Sequence, residues 1–119
     1  MRELVIKCAA GSDEPERCNQ AFTVAASGLA AGAAVSLWLT GEAAWLAVPG
    51  RAEEFVLELA TPLAELRDLV LASGTLTVCS QCAARRGITE QDLVPGARIA
   101  GAASFAEEAL RDGAQALVY

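Results

Sequence analysis

The chain contains no histidine. That absence removes Ser-His-Asp and Cys-His catalysis, and with them every metal site that needs an imidazole ligand. Cations are also scarce: nine Lys and Arg stand against fifteen Asp and Glu, for a net charge of −6. A chain of this balance is a poor partner for nucleic acid or an anionic membrane surface. No secretory leader is expected, because Met1-Arg2-Glu3-Leu4-Val5-Ile6-Lys7 is charged and its apolar run is short. A cytoplasmic location is the expectation that follows. No Gly-x-Gly-x-x-Gly follows the first apolar run, and Asp13, Glu14 and Glu16 stand where a phosphate would sit, which disfavours nucleotide binding. Those acids more simply complement the positive end of a helix. No carboxylates are paired for acid–base work, and Glu53-Glu54 reads as a solvated face. Repeats, linkers and low-complexity tracts are missing too, so residues 1–119 are expected to form one domain.

Charge is absent altogether from residues 18–41, a stretch long enough to imitate a membrane span. Gly28 and Gly32 interrupt it, while Asn19, Gln20, Thr23, Ser27 and Ser36 dilute it. Its apolar period also changes at Gly32, so it reads as a buried helix followed by a buried strand. Gly28 then marks close helix packing and Gly32 a helix stop.

Hydrophobic residues make up 54% of the 119 positions and charged ones 20%, which predicts a well-buried interior. Leu4-Val5-Ile6-Lys7-Cys8 reads as a first strand, a near-continuous apolar run suited to the middle of a parallel sheet. Pro15 opens a helix with Cys18, Phe22, Ala25 and Leu29 on one face. A second strand covers 34–39, a short apolar helix 43–47, and Pro49-Gly50 stops it. Residues 51–60 read as a lid-like segment with a short edge strand at 55–59. Thr61-Pro62 opens a helix that aligns Leu63, Leu66 and Val70 and closes at Gly74. Further on come a helical turn at 89–93, a strand at 97–100, a capping box at Ser104-Phe105-Ala106-Glu107 opening a helix to Gly113, and a last strand at 116–118. Alternation of this kind predicts a single three-layer α/β/α domain with a mostly parallel sheet of about five strands. Trp38 and Trp45 read as core or interface residues, and apolar content this high suits a subunit interface.

The most informative stretch is Thr75-Leu76-Thr77-Val78-Cys79-Ser80-Gln81-Cys82-Ala83-Ala84-Arg85-Arg86-Gly87. A β-branched strand ends at Cys79, and a helical turn carries Cys82 and two arginines. Unpaired N–H groups at such a helix start favour thiolate over thiol, which points to sulfur chemistry. With Cys8 at a strand end and Cys18 in the following helix, all four cysteines are expected near the carboxyl edge of the sheet. Cys18 also fits an ordinary apolar stripe, and for Cys8 a core role and a functional one weigh equally.

Three chemistries suit these residues. Cys79 as a nucleophile would accept sulfane sulfur, with Cys82 able to attack the resulting persulfide and with Arg85 and Arg86 adding positive charge. Cys79 and Cys82 would alternatively form a thiol–disulfide redox pair, although neither a preceding Trp nor an intervening Pro is present. Cys8, Cys18, Cys79 and Cys82 would alternatively hold Zn or an Fe–S centre as a structural site.

Cys79, five residues, then Arg85-Arg86-Gly87-Ile88 and an acidic turn resemble the DsrE/DsrF/TusD-like sulfur-relay family, and Gly101, Ser104, Leu110 and the closing apolar strand fit the same template. The resemblance implies a small DsrE-like parallel α/β domain that assembles as a homo-oligomer, or as a hetero-oligomer with sister subunits. It implies that Cys79 carries a persulfide between sulfur donor and acceptor proteins or small thiols, as a sulfurtransferase without independent turnover and without a cofactor. Cys82 departs from the usual small aliphatic residue at its position, and Cys8 and Cys18 are additions.

Overall fold

The computed structural model describes residues 2–119. Its frame is one sheet built from β1 (Glu3–Cys8), β2 (Ala34–Leu39), β3 (Thr75–Cys79), β4 (Arg98–Ala100) and β5 (Ala114–Val118). The strands run in the order β4-β3-β2-β1-β5, and every neighbouring pair is parallel. The three most apolar strands take the centre, where both edges are paired and both faces are covered. Between strands lie α1 (Pro15–Ala30), a 3-10 segment (Gly41–Ala47), α2 (Arg51–Glu54), α3 (Leu63–Ser73), α4 (Ser80–Arg85), a 3-10 turn (Glu90–Asp92) and α5 (Ala102–Ala109).

Handedness distributes these helices. From β1 to β4 the chain steps one way across the sheet, so right-handed crossovers place α1, α3 and α4 on one face. There Phe22, Ala25, Leu63, Leu66 and Val70 pack onto Ile6, Leu37, Leu39, Leu76 and Val78. The step from β4 to β5 goes back across three strands, and the same handedness puts α5 on the opposite face. Gly28 lets α1 lie close to the sheet, since a Cβ there would come within 2.9 Å of Leu4 Cδ2 and 3.1 Å of Val35 Cγ2. The uncharged stretch divides between α1 and β2, and among the described residues no helix is long and apolar enough to cross a membrane.

Two sequence expectations fail. No strand forms at 55–59: one turn, α2, is followed by irregular chain to Pro62, with Leu59 at a φ of 57°. The Arg67 guanidinium, buried on α3, instead grips Glu53 through two bonds of 2.8 and 3.1 Å, which ties α2 to α3. Nor does Ser104 cap a helix. α5 begins at Ala102, with Gly101 at its cap, and stops at Ala109 rather than near Gly113. The helix therefore turns Phe105 and Glu108 onto one face, against the sheet.

Glu108 anchors that face. Only 7% exposed, it accepts hydrogen bonds from Ser36 Oγ (2.6 Å), Trp38 Nε1 (3.1 Å) and the Arg98 guanidinium (2.8 Å). Arg98 also donates to Thr77 Oγ1 at 2.8 Å, so β2, β3 and β4 are all joined to α5. Burial pushes the Glu108 carboxyl up, but the bonds from Ser36, Trp38 and Arg98 outweigh it and hold the group below its ordinary value of 4.5. A carboxylate lowered on folding stabilises fully above its unfolded pKa, and the contribution fades as pH falls through the folded one. Glu108→Gln should therefore lose about 2 kcal/mol of stability at neutral pH. Denaturant melts of both proteins should show that gap closing below the ordinary glutamate pKa. A gap independent of pH would contradict the ionised anchor.

Candidate functional site

The helices after β3 and β4 leave towards opposite faces: α4 joins the α1–α3 side and α5 the other. Crevices between such neighbouring strands are where open α/β sheets bind ligands. Cys79, the last residue of β3, lies at this one, paired in register with Ala100 of β4. It also occupies the cap position of α4.

Cys79 is half-exposed, whereas Cys8 and Cys18 are fully buried and Cys82 is 9% exposed. Partial burial opposes ionisation of Cys79. The N–H and the thiol of Cys82, the N–H of Gln81 and the charge of Arg85 nevertheless bring its pKa below the ordinary thiol value. α4 has six residues, so close N–H groups matter more here than an extended dipole. The Cys82 sulfur lies on the inner side of α4 and accepts a hydrogen bond from Gly41 N–H at 3.1 Å.

The two arginines have separate roles. Arg85 is exposed and acts on Cys79 through its charge. Arg86 binds Glu42 at 2.8–2.9 Å and the Cys82 carbonyl at 3.1 Å, pinning the end of α4 to the 3-10 segment.

All four cysteines reach the carboxyl edge of the sheet, but on different faces. Cys8 points to the α1 side, where its thiol donates to the Ala10 carbonyl at 3.1 Å. Cys18 packs beside it, and the hydrogen bond with Cys8 together with burial pushes the Cys18 thiol far up. Cys79 opens on the α5 side. Cys82, on α4, stands on the α1–α3 side with Cys8 and Cys18, so Cys79 alone faces α5, and among the described residues no group of three or more Cys, Asp or Glu side chains could hold a metal ion.

Beside Cys79 is a cavity of about 60 Å³, lined by Lys7, Trp38, Thr40, Ala102 and Phe105 as well as Cys79. Trp38 is 1% exposed and meets Phe105 edge to face, with ring centroids 5.5 Å apart. The Lys7 ammonium lies 5.5 Å from the Phe105 ring centroid. Sequence reasoning passed over Lys7, Thr40 and Phe105. The available signal was Lys7 itself, a charge inside an otherwise apolar strand.

A small parallel sheet that presents one half-exposed thiol at the crevice where its helices part defines a class of α/β thiol protein. The profile of the DsrE/DsrF-like family matches residues 4–119, and the chain belongs to that family. Among solved structures it is similar to the YchN protein from E. coli, at 18% identity and a TM-score of 0.81, with each chain covered over 100%. It is also similar to MTH1491 of Methanobacterium thermoautotrophicum, a protein of unknown function, at 11% identity, a TM-score of 0.73 and the same full coverage. At these identities the likeness is one of fold. No protein of curated function matches the sequence.

The division between the arginines is testable. Arg85→Gln removes a charge that favours the thiolate, so alkylation of Cys79 by iodoacetamide at pH 7 should slow about two-fold. Arg86→Gln should leave the pH profile of alkylation in place and cost about 0.5 kcal/mol of stability through the Glu42 pair. Equal shifts of the Cys79 profile in both variants would contradict this assignment.

Proposed function

We propose that Cys79 accepts sulfane sulfur as a persulfide and relays it to an acceptor thiol, with Cys82 as a resolving thiol. The observation that carries this reading is the contrast among the cysteines: one thiol is open to solvent and favoured as thiolate, while the other three are buried. Membership of the DsrE/DsrF-like family supports it at the level of a sulfur-relay fold.

In the loading step the Cys79 thiolate attacks the terminal sulfane sulfur of a donor. The donor's sulfur–sulfur bond breaks and its electron pair leaves with the donor fragment. The Arg85 charge that favours the Cys79 thiolate would also favour the anionic terminal sulfur. An acceptor thiolate takes the sulfur by the same displacement, and the Cys79 thiolate is regenerated. Alternatively, the Cys82 thiol attacks the inner sulfur of the persulfide. A Cys79–Cys82 disulfide forms, and the terminal sulfur leaves with the Cys82 proton as hydrosulfide.

Intact-mass measurement after exposure to glutathione persulfide tests the reading. Wild-type protein should gain one sulfur atom, removable by a thiol reductant and mapped to Cys79. Cys79→Ser should gain none. Cys82→Ser should load as wild type and hold the sulfur several-fold longer, because internal displacement is removed. Loading of Cys79→Ser at the wild-type level would defeat the assignment. Loss of two hydrogens from wild type with no sulfur gained, together with no sulfur gained by Cys82→Ser, would favour the thiol–disulfide pair, which the closeness of Cys82 to Cys79 also suits.

A further inference from the structure

Lys7 is the only lysine among the nine cationic residues of the chain. It sits in β1 in register with Trp38 on one side and Val118 on the other, and its side chain emerges on the α5 face. Partial burial of an ammonium in such a place opposes folding, and a single contact with the Phe105 ring offsets only part of that cost. Among the described residues no carboxylate pairs with it. The chain has fifteen acidic residues, yet none lines the cavity that Lys7 shares with Cys79. Ala102, which also lines it, opens the first turn of α5, where Gly101 brings no side chain to cap the N–H groups. The cavity therefore combines a nucleophilic sulfur, a free cation and apolar walls, within a volume of about 60 Å³ that admits only a few heavy atoms.

We propose that Lys7 binds the charged end of the sulfur donor, and that the donor is a small inorganic dianion carrying sulfane sulfur, such as thiosulfate or polysulfide. The inference rests on the sulfur-accepting role of Cys79 and names the substrate class for it. With thiosulfate, the Cys79 thiolate attacks the outer sulfur, the sulfur–sulfur bond breaks, and the electron pair leaves with sulfite. One thiolate and one dianion become one persulfide anion and one sulfite dianion, with no oxidant or reductant required. Lys7 would offset the repulsion between the thiolate and the arriving dianion. Arg85, on the α4 side, acts on the thiolate itself.

Two alkylating agents with the same leaving group and opposite demands on charge test the binding role. Wild type, Lys7→Met and Lys7→Arg are treated with iodoacetate and with iodoacetamide, and modification of Cys79 is followed by peptide mass. Lys7→Met should lower the iodoacetate rate about five-fold relative to iodoacetamide, the scale of one charge lost beside an approaching anion, and Lys7→Arg should restore it. The same Lys7→Met protein should need about ten-fold more thiosulfate for half-maximal loading, at a maximal rate close to wild type. An iodoacetate-to-iodoacetamide ratio equal to wild type would overturn the proposal. Should the variants not fold, sulfate on the wild-type protein replaces them: it should slow iodoacetate more than chloride does at equal ionic strength, and equal slowing would overturn the proposal. Failure to load from thiosulfate and tetrasulfide, when glutathione persulfide loads, would reject the inorganic donor and leave the role of Cys79 standing. Failure with all three donors, beside a charge-dependent alkylation ratio, would reject the sulfur reading itself.

Discussion

The grip of Glu108 on β2 and β4, carried to β3 by Arg98, decides what the face of the sheet beside Cys79 can be. α5 has eight residues and is largely exposed, so apolar burial alone gives it little hold. A buried carboxylate that accepts bonds from Ser36, Trp38 and Arg98 fixes it through charge-assisted hydrogen bonds, each worth about 1.5–3 kcal/mol. The orientation that lowers Glu108 onto the sheet also lowers Phe105, one turn earlier, against Trp38. Phe105 in turn forms a wall of the cavity at Cys79 and the seat of the Lys7 ammonium. A polar contact at the amino-terminal half of the sheet thus shapes a chemical site at its carboxyl edge.

Topology then separates the thiols. Because β3 and β4 send their helices to opposite faces, the end of β3 stays uncovered on one side, and Cys79 occupies that opening. Cys8 and Cys18 fall on the face that α1 and α3 seal. Their burial removes them from solvent and, for Cys18, raises the energetic cost of a thiolate. Position in the fold rather than local motif therefore leaves one of four identical side chains half-exposed. A motif-level reading treats the four as equivalent and permits a metal centre; the structure turns Cys79 to the other face from the remaining three, and among the described residues no group of three or more ligating side chains forms.

Much of this was legible from residues alone. Apolar runs at 4–8, 34–39 and 75–79 mark the three central strands, because strands buried on both faces need no polar alternation. Pro15, Gly32 and Gly74 mark helix ends through backbone chemistry that is local. What escaped was decided by distant partners. Phe55, Val56 and Leu57 have strand propensity, but Arg67 claims Glu53 and draws the preceding turn onto α3. Ser104 and Glu107 have the spacing of a capping box, but Glu108 must reach the sheet, and that need sets the helix phase and start. Lys7 and Cys79 are 72 positions apart in the sequence, and only the register of β1, β2 and β3 brings them to one cavity.

If Cys79 carries sulfur as proposed, the loop at Thr40 and Gly41 has leverage over its fate. Thr40 N–H bonds the Cys8 carbonyl at 2.9 Å, which fixes the loop to β1, and Gly41 N–H holds the Cys82 sulfur. Gly41 adopts a φ of 55°, and a Cβ there would approach the Ala9 carbonyl oxygen to 2.8 Å, so the position tolerates glycine far better than any other residue. On the proposed function, a persulfide on Cys79 would have two routes of discharge, outward to an acceptor or inward to Cys82. The outward route needs only the open mouth of the cavity. The inward one requires the Cys82 sulfur to leave the Gly41 N–H and align with the sulfur–sulfur bond, so it is gated by how firmly this loop is held. A rigid loop favours a carrier that waits for its acceptor, and a loosened one favours a site that releases hydrosulfide and closes on itself. The bonds at Thr40 and Gly41, together with the Arg86–Glu42 pair one residue further on, hold this loop firmly, and on the proposed function they would weigh on the side of the carrier.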